Sequence, residues 1–273
     1  MAKLKYKLTY DTLFKLFSLK YEKTLFKRLV AALLGVRVED IGPDFRITNS
    51  AMPPEALGEK FCHLDINMTV NGQWVDLEIQ VEDDKDYPER SLYYWAREYS
   101  SALPMGEDYG KLPRTIVISI VCFSMFSCAE YHSEFGLFEA KRHERLTDRL
   151  AMHYFELPKL PEVVDGGNEL RLWLALFKAD TDEKLEKLVT IGGEIMVQAV
   201  EAYRHISASD ELKELERLRD RARHNEASAL ANAERRAESR KSLEIAKKLR
   251  VEGKDVDYIA NLTGLTVDEV LKL

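Results

Sequence analysis

Apolar and polar residues alternate one for one on both sides of Asn71-Gly72, in the stretch FCHLDINMTVNGQWVDLEIQV from residue 61 to 81. Period-two alternation marks a strand with two unlike faces. Asn-Gly between two such runs predicts a two-residue hairpin turn, because both central residues must take positive φ. Closing that turn pairs Val70 with Gln73. Counting outward then sets Thr69 against Trp74, Asn67 against Asp76, Asp65 against Glu78 and His63 against Gln80. Leu64, Ile66, Met68, Val70, Val75, Leu77, Ile79 and Val81 share one face, which is predicted to be core. His63, Asp65, Asn67, Asp76, Glu78 and Gln80 share the other.

The same patterning sorts the rest of the chain. Apolar residues at helical spacing from Leu13 to Leu33 predict an amphipathic helix over residues 11 to 34, with Asp11 as N-cap, a break near Leu19 to Lys23 and Gly35 as the stop. A short strand over Phe45 to Thr48 follows the turn Gly42-Pro43-Asp44. Pro88 suits the first turn of a helix running to Leu103. The run RTIVISIVCF, residues 114 to 123, lacks alternation and predicts a central strand buried on both faces. Further strands are expected over Ser133 to Glu139 and Leu150 to Glu156, and helices over Glu169 to Lys178 and Asp182 to Ala202. This order is that of an α/β or α+β layered domain.

From Ser209 to about Arg250 the apolar pattern thins into one long charged helix. The tail then reads as two short helices joined at Gly264, with Thr266 able to cap the second. Thr266, Asp268, Glu269 and Lys272 would face outward. Two acids make a poor reader of a DNA groove, so the tail suits packing or oligomerisation better.

Composition narrows the function classes. With 273 residues, 45% of them hydrophobic, the chain can bury one sizeable core with appendages or two small ones. Its 40 Lys and Arg against 47 acids give a net charge of −7, so nucleic acid would have to meet a local basic patch rather than a global field. Residues 211 to 250 are such a local excess, with 12 Lys and Arg against 8 acids, although a solvated face or weak coiled-coil seam explains them equally. Cys62, Cys122 and Cys128 are odd in number and lack zinc-ligand spacing, which suits reduced thiols in a cytoplasm. No stretch has the form of a signal peptide or membrane span, so no membrane partner is expected.

The candidate chemistry lies on the polar face of the hairpin. Like charges placed opposite one another destabilise a sheet. Asp65 and Glu78 therefore call either for water around them or for a hard divalent cation, which Mg²⁺ satisfies with one or two carboxylates, several waters and substrate phosphate. Lys15 stands one turn after Asp11 on the same helix side, which a cap and a surface lysine also explain. Arg90, Tyr94 and Arg97 form a stripe suited to phosphate and sugar contacts or, as aromatic residues at this spacing commonly are, to core packing.

Taken together, Asp11-x-x-Phe14-Lys15, the Gly58-Glu59-Lys60 lead-in to Asp65, Asp-Leu-Glu-Ile-Gln at 76 to 80, the run from Arg90 to Trp95, Gly106-Glu-Asp-Tyr109 and the strand 114 to 123 resemble the Rpn-type recombination-promoting nucleases. These are also described as PD-(D/E)XK nuclease family transposases. The resemblance spans about residues 9 to 178, and TGLTVDEV resembles the tail common in that family. It implies an α/β, restriction-endonuclease-like mixed sheet flanked by helices, with a helical C-terminal extension. The expected divisions are a nuclease-like core over 1–160, a helical extension over 161–205, a charged helical linker over 206–245 and a helix-turn-helix-like unit over 246–273.

By the same resemblance, Asp65 and Glu78 hold Mg²⁺, for which Mn²⁺ can substitute. Gln80 stands where the wider superfamily has its lysine, and Asp11 and Lys15 match the opening motif. Arg90, Tyr94 and Arg97 would position the DNA backbone. The implied activity is Mg²⁺-dependent endonucleolytic cleavage of DNA in recombination or transposition. The cysteine usage suits a cytoplasmic protein, and a homodimer through the C-terminal helices would supply the two sites that cutting both strands of a duplex calls for. Two other readings stay open: a degenerate nuclease fold that binds DNA or regulates, and an interaction protein that self-associates through its charged helix.

Overall fold

The computed structural model describes residues 3–48, 51–52, 62–63, 66–162 and 165–273. The chain divides into two compact units, 1–212 and 213–273. The first opens with α1 (Asp11–Lys20), a single π-helical turn over Glu22–Phe26 and α2 (Lys27–Leu34). The expected break falls at Tyr21, and Gly35 stops α2 at φ 66°. Asp11 is not the N-cap: Tyr10 holds that position without a side-chain cap bond, and Asp11, one residue inside, pairs with Lys15 instead.

The strands are β1 (Arg46–Ile47), β2 (Ala51–Met52), β3 (Cys62–His63), β4 (Ile66–Val70) and β5 (Gln73–Gln80). After α3 (Tyr87–Ser101) come β6 (Thr115–Val121), β7 (His132–Phe138) and β8 (Arg145–Glu156). Among the described residues, one six-stranded mixed sheet has the order β1-β4-β5-β6-β8-β7, in which β5, β6 and β8 run parallel. The hairpin register is as expected from Ile66–Leu77 to Val70–Gln73, with φ 51° at Asn71 and 70° at Gly72. The 40–44 loop pins that turn, since Asn71 Oδ1 accepts from Gly42 N at 2.6 Å and Gly72 N donates to Asp44 Oδ2 at 2.6 Å. His63, however, does not face Gln80. Cys62–His63 pairs with Ala51–Met52 in a separate two-stranded sheet, while Gln80 pairs across β6 with Val121.

One sheet face packs under α1, α2, α4 (Glu169–Lys178), α5 (Asp182–Ile191) and α6 (Gly193–Ala208), around fully buried Phe14, Phe17, Trp173 and Phe177. Phe14 meets Phe177 edge-on at 5.5 Å, and Phe17 meets Trp173 at 6.3 Å. Ile66, Met68, Val70, Val75 and Leu77 are buried there as the alternation predicts. Val81 is not, because β5 ends at Gln80 and no layer covers the residue beyond it. The expected single helix over 182–202 is two helices: Gly193 takes φ 61°, and a Cβ on Gly192 would collide with Met196. β6 is buried along its whole length.

Residues 213–273 hold most of α7 (Asp210–Val251), then α8 (Val256–Thr263) and α9 (Val267–Leu271). Ala246, Ile259 and Val270 make a small apolar centre. Gly264 turns the chain at φ 71°, and Thr266 with Glu269 forms a reciprocal capping box, which occupies two of the outward polar residues of α9. Among the described residues no helix is long and apolar enough to cross a membrane.

Candidate active site

Glu78 of β5 stands opposite Ser119 of β6, and Ser119 stands opposite Tyr154 of β8. Paired residues point to the same face, so these three side chains form a row across the parallel strands. The helix α3 covers that row. Tyr87, its first residue, puts its hydroxyl 3.1 Å from Glu78 Oε2 and 2.9 Å from Ser119 Oγ, and the hydroxyls of Ser91 and Tyr154 meet at 2.6 Å. A phenol has one proton and a carboxylate can only accept, so Tyr87 donates to Glu78 and accepts from Ser119. Burial first, and then the Glu78 charge, push the Tyr87 pKa well above its ordinary value.

A second row lies one step back along β5. Asn67 pairs with Asp76, and Asn67 Nδ2 donates to Glu98 Oε1 of α3 at 2.7 Å. Asp76 is 3% exposed and Glu78 6%, so the polar hairpin face is not solvated as an isolated hairpin would be. Burial, then the charges of Glu98 and Glu78, hold the Asp76 carboxyl well above the usual range, and burial raises Glu98 as well. Asp76 Oδ2 is buried without a hydrogen-bond partner among the described residues. Three acids in a dry layer call for bound protons or a cation.

At the end of β5, Gln80 Nε2 donates to Glu82 O at 2.8 Å and to Asp84 Oδ2 at 3.1 Å. Both amide protons are thereby used, and the Gln80 oxygen is the atom left to face a substrate or water. Arg90 Nη1 also bonds Asp84 Oδ2, at 2.9 Å, with its guanidinium 5.0 Å from the centre of the Tyr87 ring. Asp84 thus ties Arg90 to Gln80, and Tyr87 ties it to Glu78.

The expected residues come together only in part. Glu78, Gln80 and Arg90 form one network, and Tyr94 and Arg97 follow on the same helix, half-buried. Lys15 Nζ pairs with Asp11 Oδ1 at 3.0 Å on α1, which packs with the opposite sheet face. Asp65 lies outside the described residues. The sequence reading missed Tyr87, Ser119, Asp84 and Glu98 as site residues, and placed Asp76 on the polar face without a role. The one available signal was Tyr87 four residues before Ser91, on the same side of a helix that opens with Pro88.

The donors suit a hard cation. Among the described residues no three His, Cys, Asp or Glu side chains are arranged to hold a metal ion, but Mg²⁺ is commonly held by one or two carboxylates and waters. An all-oxygen set with a buried, unpartnered Asp76 oxygen fits that chemistry.

A sequence model of the family described as PD-(D/E)XK nuclease family transposase matches residues 8–233. That span includes the whole sheet and α3, and reaches beyond residue 178 into α7. No curated protein and no solved structure matches the chain.

Proposed function

We propose, from the premise that this chain belongs to the PD-(D/E)XK nuclease family transposases, that it is a Mg²⁺-dependent DNA endonuclease acting in recombination or transposition. The family supports a nuclease linked to those processes, and the mixed sheet flanked by helices agrees with its restriction-endonuclease-like fold. The observation carrying the reading to a site is Glu78 itself: a buried carboxylate oriented by Tyr87, two residues before Gln80 on the same strand face.

Glu78, with Asp65 as its expected hairpin partner, would hold the cation. A bound divalent cation supplies Lewis-acid polarisation of the phosphate and makes a nearby water more acidic. Tyr87 fixes one Glu78 oxygen. Gln80 presents an acceptor oxygen, which can orient water but brings no charge to the transition state. Arg90 is the cation tied into this network and takes the part that a lysine at position 80 would play. Asp11 and Lys15 hold the start of α1. Tyr94 and Arg97 continue the α3 stripe toward the DNA backbone, contacts that position without reading sequence.

Supercoiled plasmid incubated with the purified protein should be nicked or linearised with Mg²⁺ or Mn²⁺ and left intact in chelator. Absence of cleavage under either metal, with DNA still shifted in a gel, selects the second reading, a degenerate module. One observation favours that alternative: position 80 has no cation of its own, and the Gln80 amide protons are already engaged.

Arg90→Ala should weaken DNA binding and reduce the steepness of its salt dependence by about one counterion. An unchanged slope in a salt titration would take Arg90 out of the interface. Cutting both strands calls for two sites, which a homodimer through the C-terminal helices would supply. The expected mass in solution is a dimer for the full chain and a monomer without residues 205–273, and a monomeric full chain would end that proposal.

A further inference from the structure

The carboxyl ends of the parallel strands border a cleft that the chemistry above does not use. Val81 after β5, Cys122 after β6 and Leu157 after β8 line it, together with residues 5–7, 9 and 10 and the last turn of α4, and its volume is about 520 Å³. Open parallel sheets bind ligands at this end of their strands. The walls are fixed: Leu4 N donates to Asp180 O at 2.8 Å, and the Tyr203 hydroxyl bonds Tyr6 O.

The lining is basic in an acidic chain. Lys5, Lys7 and Lys178 border the cleft, and no Asp or Glu does among the described residues. None of these lysines forms an ion pair within 4.0 Å among the described residues. Lys178 Nζ reaches the Leu160 carbonyl at 3.3 Å, and Lys5 Nζ lies 4.9 Å from the Tyr6 ring centre. Tyr6 and Tyr10 stand 5.1 Å apart at 31°, both half-buried, with the buried side chains of Leu157 and Phe177 behind the lining.

Aromatic rings beside lysines that no carboxylate meets within ion-pair distance are what a single nucleic-acid strand binds, through base stacking and phosphate contacts. The volume is that of a pocket for one small ligand, far too little for a duplex whose major groove alone is about 12 Å wide. We infer that this cleft takes an unpaired nucleotide of the DNA strand, with its base against Tyr6 and Tyr10 and its flanking phosphates at Lys5, Lys7 and Lys178. The choice of DNA rests on the proposed nuclease function. The enzyme then acts where duplex is opened, at a strand end, flap or displaced strand.

The test is fluorescence anisotropy of a labelled oligo(dT) of about twelve nucleotides, a length within the site size of single-strand binders, and of a duplex of equal length. Each is titrated with the full chain in chelator at several salt concentrations. The single strand should bind at least about tenfold more tightly than the duplex. Lys7→Gln with Lys178→Gln should weaken single-strand binding about tenfold and lower the salt slope by about 1.4, as expected for two lost phosphate contacts. Tyr6→Leu should weaken binding about tenfold at unchanged slope, as expected for a lost base stack. Equal or tighter duplex binding, no binding of either DNA, or variants that bind like wild type would each overturn the inference. Because no metal is present, an inactive nuclease still reports here. Wild-type plasmid cleavage alongside unaffected cleft variants would sink the cleft and leave the nuclease standing.

Discussion

Glu78→Gln is expected to cut the rate of plasmid cleavage by about 100-fold or more, the scale set by removing one preorganised electrostatic group from an active site, while leaving the protein better folded. The amide keeps an oxygen for the Tyr87 hydroxyl, so the bond that orients the side chain survives. What disappears is a negative charge beside Asp76, whose carboxyl is already raised by burial, Glu98 and Glu78. Were both ionised, two like charges roughly 7 Å apart, as alternate residues of a strand are, would repel by about 2 kcal/mol at the effective dielectric that suits protein sites, which sets the ceiling on the gain because a protonated Asp76 carries no charge. In chelator the variant should therefore unfold at a higher temperature or denaturant concentration than wild type. Lost activity with gained stability is the signature of a charge kept for function. A variant that still cleaves at the wild-type rate would remove Glu78 from the chemistry. Tyr87→Phe provides the companion measurement, with an expected loss of about 10- to 100-fold, as for other groups that orient a ligand from behind.

Alternation supplied the faces of the hairpin but not what covers them. Asn71-Gly72 fixed the register because its positive φ angles leave few other turns, and the pairing from Ile66 to Leu77 followed. The buried strand over 115–121 was legible for a similar reason, since a run of branched apolar residues has no polar face to offer water. The polar face around Asp76 and Glu78 was different. An acid row looks solvated until a second layer is set on it, and that layer is α3, whose contacting residues Tyr87, Ser91 and Glu98 carry meaning only in three dimensions. Arg90, Tyr94 and Arg97 could be put on one side of a helix by spacing alone. That Arg90 is drawn by Asp84 toward Gln80 could not, because the bond joins a loop to a helix through side chains. His63 shows the opposite limit, a count carried past the point where another short strand took the chain.

Acid is expected to weaken the fold through a buried imidazole on the other side of the sheet. His153 of β8 is 8% exposed, with its Nδ1 3.1 Å from His132 Nε2 on β7, and the two rings stack with Phe155. Burial lowers its pKa to about 4; Glu134 across the strand pulls the other way, and His132 and Arg114 reinforce the burial. An unfolded histidine titrates near 6.5. Below that pH the unfolded chain therefore binds a proton that the native chain refuses, so stability present at neutral pH is lost as pH falls from 6.5 toward 4. A gap of about 2.5 units corresponds to as much as about 3 kcal/mol, of which roughly 2 would be gone by pH 5. Other groups titrate over the same range, so the informative quantity is the difference between wild type and His153→Asn, whose amide can still meet His132 but takes no proton. Urea denaturation at pH 7 and pH 5 should show wild type losing about 2 kcal/mol more than the variant. Equal losses would mean that native His153 takes up its proton as readily as the unfolded chain does, which would remove it as the source of the acid sensitivity.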